Sequence, residues 1–135
     1  MAKAKIYYKE GYRYQLHEDT TFETGIKGFT LITDFLSLNR HGTLTCKKGY
    51  AWNGVNKPAI NTKTNKRGSL VHDAMYQLIE EKLLAHYYRK VADRLFRNVC
   101  LEDGMMRFRA WYCYKAVRKA GGKYCRTPKP VLIAP

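Results

Sequence analysis

Two short motifs carry residue types and spacings that could move a proton: His72-Asp73-Ala74-Met75-Tyr76 and Arg89-Lys90-Val91-Ala92-Asp93. A histidine acting as a base needs a carboxylate on its far ring nitrogen, to fix the tautomer and to stabilise the imidazolium once a proton is taken. Asp93, across an antiparallel helix pair, could supply it. His72 and Tyr76 lie one helical turn apart, so the phenol can reach the same acid and hold it in place. Asp73 points about 100° away from His72 around a helix, which leaves it for another task such as binding a cation. A plainer reading gives these residues no chemistry: a polar helix edge, an i,i+4 ion pair between Arg89 and Asp93, and a polar staple between two helices. His17, His41 and His86 have no comparable neighbours and read as surface residues. No Gly-x-Ser-x-Gly, His-Glu-x-x-His or phosphate-cradling glycine loop occurs in the chain.

The elements that must position these groups are helices. From Ser69, the apolar residues Leu70, Val71, Ala74, Met75, Leu78 and Ile79 recur at helical spacing and predict a first helix ending near Glu81. A second is predicted over Ala85 to Leu101, with Val91, Leu95, Phe96 and Val99 inward, before Glu102-Asp103-Gly104 breaks it. A third, Met105 to Ala120, is rich in aromatics and is expected to stop at Gly121-Gly122. Ahead of them, β-prone runs at Lys5 to Lys9, Tyr12 to His17, Phe29 to Phe35 and Thr43 to Lys47 alternate with turns at Glu18-Asp19 and Asn39-Arg40-His41-Gly42. The expectation is an α+β chain: a small N-terminal antiparallel sheet followed by three helices. Its 135 residues fit one domain, divided into a β-rich part (1–52), a loop (53–68, irregular from Gly49 onward), a helical part (69–122) and an extended tail (123–135).

Charge is the compositional outlier, with 25 basic residues against 11 acidic giving +14. Seven basic residues and no carboxylate lie between Asp34 and Asp73, and eight more with none follow Asp103. An anionic partner is expected: nucleic acid, an acidic protein or an anionic lipid surface. Arg107, Arg109, Lys115, Arg118, Lys119 and Lys123 on the third helix are the candidate contacts. Arginine interleaved with Phe108, Trp111 and Tyr112 can stack on bases, though a core helix with solvated cations fits equally. Cys46, Cys100, Cys113 and Cys125 form no Cys-x-x-Cys pair, so reduced thiols rather than a zinc site are expected. No run approaches the ~18 apolar residues of a membrane span, and the first residues lack a signal-like apolar stretch, so a cytosolically made protein is expected.

From Gly49 to about Gly122 the sequence resembles a domain-of-unknown-function family of small tailed-phage and prophage proteins. The motifs that carry it are Trp52-Asn53-Gly54-Val55-Asn56-Lys57-Pro58, Leu70-Val71-His72-Asp73-Ala74-Met75-Tyr76 and Arg89-Lys90-Val91-Ala92-Asp93-Arg94-Leu95-Phe96. The resemblance implies a phage origin, hence the host cytoplasm or the virion as location and a virion or host protein as a further partner, without implying an activity. More distantly, the order of loop, His-Asp-x-x-Tyr and helical Asp is similar to calcium-dependent phospholipase A2, with its antiparallel helix pair. That likeness implies His72 as the base activating a water against an ester, Asp93 as its orienter and Tyr76 as support. It also implies calcium held by Asp73 with loop groups at Trp52, Gly54 and Asn56. Asn53 and Asn56 stand where the phage family has Asp and Ser, which removes one negative charge from the loop. A dyad retained without an effective metal site would point to a scaffold or to an enzyme that does not use calcium. The two resulting expectations are a phospholipase A2-like ester hydrolase and a non-enzymatic protein that binds an anionic partner through its basic surface.

Overall fold

The computed structural model describes residues 14–52, 64 and 66–126, with side chains described as far as 119. The described residues fall into two compact units, a β unit over 14–52 and a helical unit over 64–126. Small antiparallel sheets followed by three helices make the chain α+β.

In the first unit, β1 (Tyr14–Gln15) pairs with β6 (Ala51–Trp52), while β2 (Thr20–Glu23), β5 (Thr43–Cys46), β4 (Leu36–Leu38) and β3 (Leu31–Ile32) form an antiparallel sheet in that spatial order. Alternation sets the buried face. Phe22 lies opposite Leu44, Leu38 pairs with Leu44, and Leu36 pairs with Cys46, and all of these side chains are buried. The expected turn at residues 39–42 forms: Asn39 Oδ1 accepts from the backbone of His41 and Thr43, and Gly42 takes φ 92° against Ile26 and Gly25. Two expectations need correction. The run Phe29 to Phe35 is not one strand, because Thr33 bonds both the N–H and the carbonyl of Leu36 and folds it into the β3–β4 hairpin. The chain is also not irregular throughout from Gly49, since Ala51–Trp52 pairs with β1 and the Trp52 ring lies 5.2 Å from Tyr14. The strand expected at Lys5 to Lys9 lies outside the described residues, as does most of the loop from 53 to 65.

The helical unit contains α1 (Lys66–Glu80), a 3-10 turn (His86–Tyr88), α2 (Arg89–Glu102) and α3 (Arg107–Arg126). The first helix starts earlier than its apolar periodicity indicates, because Lys66, Arg67 and Gly68 continue it: Arg67 bonds Asp103 at 2.5 Å and ties this first turn to the end of α2. The stretch from Ala85 opens as a 3-10 turn rather than as α2 itself. The inward stripe of α2 is Ala92, Asp93, Phe96, Val99 and Cys100, rotated from the expected one, with Val91 and Leu95 only half-buried. Gly121 and Gly122 do not stop α3, which runs to Arg126; glycine costs a helix only about 1 kcal/mol relative to alanine, so 123–126 are helical and the remaining tail is outside the described residues.

Residue 68 meets 96 and 100 while 72 and 76 meet 93, a descending register that makes α1 and α2 antiparallel. The same holds for α2 and α3, where Arg97 lies over the Tyr114 ring and Asp93 meets Arg118. Phe96, Cys100, Met105, Ala110 and Cys113 close the core between them, with Val117 packed alongside. A Cβ on Gly68 would lie 2.6 Å from Cys100 Sγ and 3.0 Å from the Phe96 carbonyl. Overpacking of this kind costs about 1–3 kcal/mol, while alanine returns up to about 1 kcal/mol of helix propensity, less in a first turn. Gly68→Ala is therefore expected to lose about 1–2 kcal/mol, read as a lowered denaturant midpoint at unchanged m-value.

Candidate active site

The expected dyad forms. Asp93 is fully buried in the otherwise apolar stripe of α2, where a bare carboxylate would be costly, and three donors from α1 and α3 reach it. Its Oδ1 accepts from His72 Nε2 at 2.7 Å and from the Tyr76 hydroxyl at 2.5 Å, and its Oδ2 accepts from Arg118 Nη1 at 2.8 Å. An ionised carboxylate only accepts, so Nε2 must carry hydrogen and any lone pair for chemistry sits on Nδ1. The imidazole is wedged between Tyr76, with ring centroids 4.0 Å apart, and Phe96 at 5.4 Å, which fixes its plane. Asp73 Oδ1 lies 3.8 Å from Nδ1, a charge contact rather than a good hydrogen bond.

Burial pushes the His72 pKa down, but the nearby carboxylates of Asp73 and Asp93 outweigh it and leave the imidazole above its ordinary 6.5. Burial likewise lifts the Asp93 carboxyl, and the His72 bond and charge, with help from Tyr76 and Arg118, hold it below its ordinary 3.8. The raised histidine stabilises the fold fully below about 6.5 and loses that contribution as pH rises through its folded value; the lowered aspartate contributes above about 3.8 and loses it as pH falls through its own. Thermal midpoints measured against pH should therefore decline on both sides of this window. His72→Gln should flatten the alkaline decline and also weaken the acid one, because the His72 charge is part of what holds the Asp93 carboxyl low.

Arg118 is the group the sequence reading assigned elsewhere. Expected on the anionic-partner surface, it turns inward to Asp93, and its backbone carbonyl accepts from Arg89 Nη1 at 3.1 Å. Arg89 thus braces α3 instead of forming the i,i+4 pair with Asp93. Position gave no signal for this: Arg118 falls five residues after the inward Cys113, off the helical spacing that joins Ala110, Cys113 and Val117. Arg107, Lys115 and Lys119 are exposed and Arg109 is half-buried, while the Lys123 side chain lies outside the described residues.

The expected calcium ligands are not brought together by what is described. Trp52 is buried in the β unit against Tyr14 and Tyr50, and Gly54 and Asn56 lie outside the described residues. Among the described residues no three His, Cys, Asp or Glu side chains converge as a metal site. Among the described residues Asp73 alone does not supply the six or more oxygen ligands that calcium takes. Cys46, Cys100 and Cys113 are free and buried, and burial pushes the Cys100 thiol up to about 12, far from a reactive thiolate. No helix among the described residues is long and apolar enough to cross a membrane.

Comparison with curated proteins and with solved structures returned no match. A family model described as "Protein of unknown function (DUF1353)" matches residues 9–117, a span that contains His72, Tyr76 and Asp93 and stops one residue short of Arg118. With four-fifths of its length matched, the chain belongs to the DUF1353 family.

Proposed function

We propose that this protein hydrolyses an ester, with His72 as general base, Asp93 as its orienting carboxylate and a membrane lipid as the substrate class. The observation that carries the reading is the fully buried Asp93 carboxylate on which His72, Tyr76 and Arg118 converge. In the neutral imidazole, Nδ1 takes a proton from water as the water oxygen bonds to the ester carbonyl carbon. The ester C–O bond then breaks and the proton passes from the imidazolium to the leaving alkoxide, so that an acid and an alcohol depart and the base is restored. Asp93 holds Nε2–H throughout and stabilises the imidazolium between the two transfers. Tyr76 and Arg118 are positioning residues that act through Asp93. Phospholipase A2 chemistry also uses calcium, but no step here depends on it. Under this reading the protein is phage-encoded and acts in the host cytoplasm or within the virion, as the sequence resemblance implies.

The test is release of fatty acid from mixed phosphatidylcholine and phosphatidylglycerol vesicles, with and without calcium. Because the imidazole is held above its ordinary pKa, the base form grows only as pH rises, and the rate should climb through the neutral and alkaline range. No release at any pH, with calcium or without, overturns the reading. The exposure of Arg107, Lys115 and Lys119 favours a second one, a non-enzymatic phage protein that binds nucleic acid or an acidic protein and uses the Asp93 cluster as a staple.

A further inference from the structure

Helix α3 carries a second surface, which the His72 dyad does not use. At ~100° per residue, Trp111, Lys115, Phe108, Lys119 and Tyr112 share an arc of about 100° on the side opposite Ala110, Cys113 and Val117, which pack into the core. Phe108 is 76% exposed, Trp111 52% and Tyr112 44%. The Phe108 and Trp111 rings lie 6.2 Å apart, and Lys115 Nζ is 6.0 Å from the centre of the Trp111 ring. The patch is therefore contiguous, apolar in substance and edged by cations. Beside it, the carboxylates of Glu102 and Asp103 are held by Arg67, and none follows them in the sequence. Soluble surfaces scatter large apolar groups singly, and a run of them on one face marks a place where something binds.

The chemistry of the patch selects among anionic partners. An acidic protein would pair with the lysines and gain little from the exposed Phe108 ring. A nucleic-acid strand needs separate ring faces for successive bases, whereas Phe108 and Trp111 pack against each other. An anionic bilayer uses every part: apolar side chains enter the boundary between headgroups and acyl chains while lysines reach the phosphates. We infer that this face of α3 docks the protein on an anionic lipid bilayer, with Phe108 and Trp111 entering the acyl boundary and Lys115 and Lys119 meeting lipid phosphate. The inference deepens the lipid-ester reading and rests on it for the use of the surface, but binding needs no turnover.

The test uses vesicles of phosphatidylcholine and phosphatidylglycerol whose acyl chains carry bromine, a contact quencher of tryptophan. Trp111 emission should be quenched on anionic vesicles, and partitioning should be at least about tenfold weaker on phosphatidylcholine alone. Trp111→Phe should keep measurable binding and lose the quenching, which assigns it to this ring rather than to the buried Trp52. Phe108→Ser should weaken partitioning about tenfold, and Lys115→Glu and Lys119→Glu by about fivefold or more each. Circular dichroism of these exposed variants should match the wild type. His72→Gln should bind vesicles unchanged. Absence of cosedimentation, binding without acyl-chain quenching, or indifference to Phe108→Ser overturns the inference. So does quenching of Trp111 by an oligothymidylate probe with none from vesicles. Vesicle binding without fatty-acid release sinks the hydrolase reading alone, and cleavage of a soluble short-chain ester without vesicle binding sinks the docking surface alone.

Discussion

His72→Gln is expected to lower ester turnover by about 10²–10⁴-fold, the usual contribution of a positioned general base, while the protein stays folded. Glutamine is the informative replacement because its amide nitrogen can still donate to Asp93 Oδ1 from near the place of Nε2, yet nothing at the Nδ1 position can accept a proton. Asp93 also keeps its bonds from Tyr76 and Arg118, so the buried carboxylate is not stranded. The loss should fall on kcat more than on KM, since the base works in the transition state and not in holding the substrate. The residual rate should also lose the rise with pH that titration of His72 gives the wild type. Turnover within threefold of wild type would assign the base to some other group and leave the cluster as a staple.

The dyad was legible in the sequence because it combines two local signals with a single long-range one. His72 and Tyr76 share a helix face by spacing alone, and only the pairing of α1 with α2 was needed to bring Asp93 to them. Arg118 was illegible for the complementary reason. Its partner lies 25 residues away on another helix, and a cation among exposed lysines looks solvated until the packing of α3 on α2 is known. The same blindness displaced the inward stripe of α2, because hydropathy turns Val91 and Leu95 to the core. Asp93 is drawn inside by its three donors and takes Ala92 and Cys100 with it. The start of α1 was hidden because Lys66 and Arg67 have no apolar period, and the contact that holds them there is a tertiary ion pair with Asp103. In the β unit, strands of two to four residues are set by partners across a turn more than by their own composition, so β2 was missed and β3, β4 and β6 were misjudged, while the turn at Asn39 and the strand at Thr43 were readable.

Asp93→Ala is expected to be the most destabilising polar substitution in the helical unit, at about 3–5 kcal/mol, the cost of stranding one side of a buried charged pair. The magnitude follows from what is left behind. His72 and Tyr76 are buried and would face a cavity with donors that have lost their acceptor, whereas the Arg118 side chain, 29% exposed, can swing to water and recover part of its loss. Asp93→Asn should cost less, because its carbonyl oxygen can still accept from His72 and Tyr76 while its amide nitrogen confronts the Arg118 guanidinium. The order of stability should therefore be wild type, then Asn, then Ala, read from denaturant midpoints at constant m-value. Ordinary domain stability is about 5–15 kcal/mol, so Asp93→Asn, the milder change, is the variant to titrate in the folded state. Without the Asp93 charge, burial weighs more heavily on His72, and its imidazole should titrate lower than in the wild type by NMR. A loss under about 1 kcal/mol for Asp93→Ala, or an unmoved His72 titration, would mean that the cluster does not form in solution, and with it would go the base that the proposed chemistry requires.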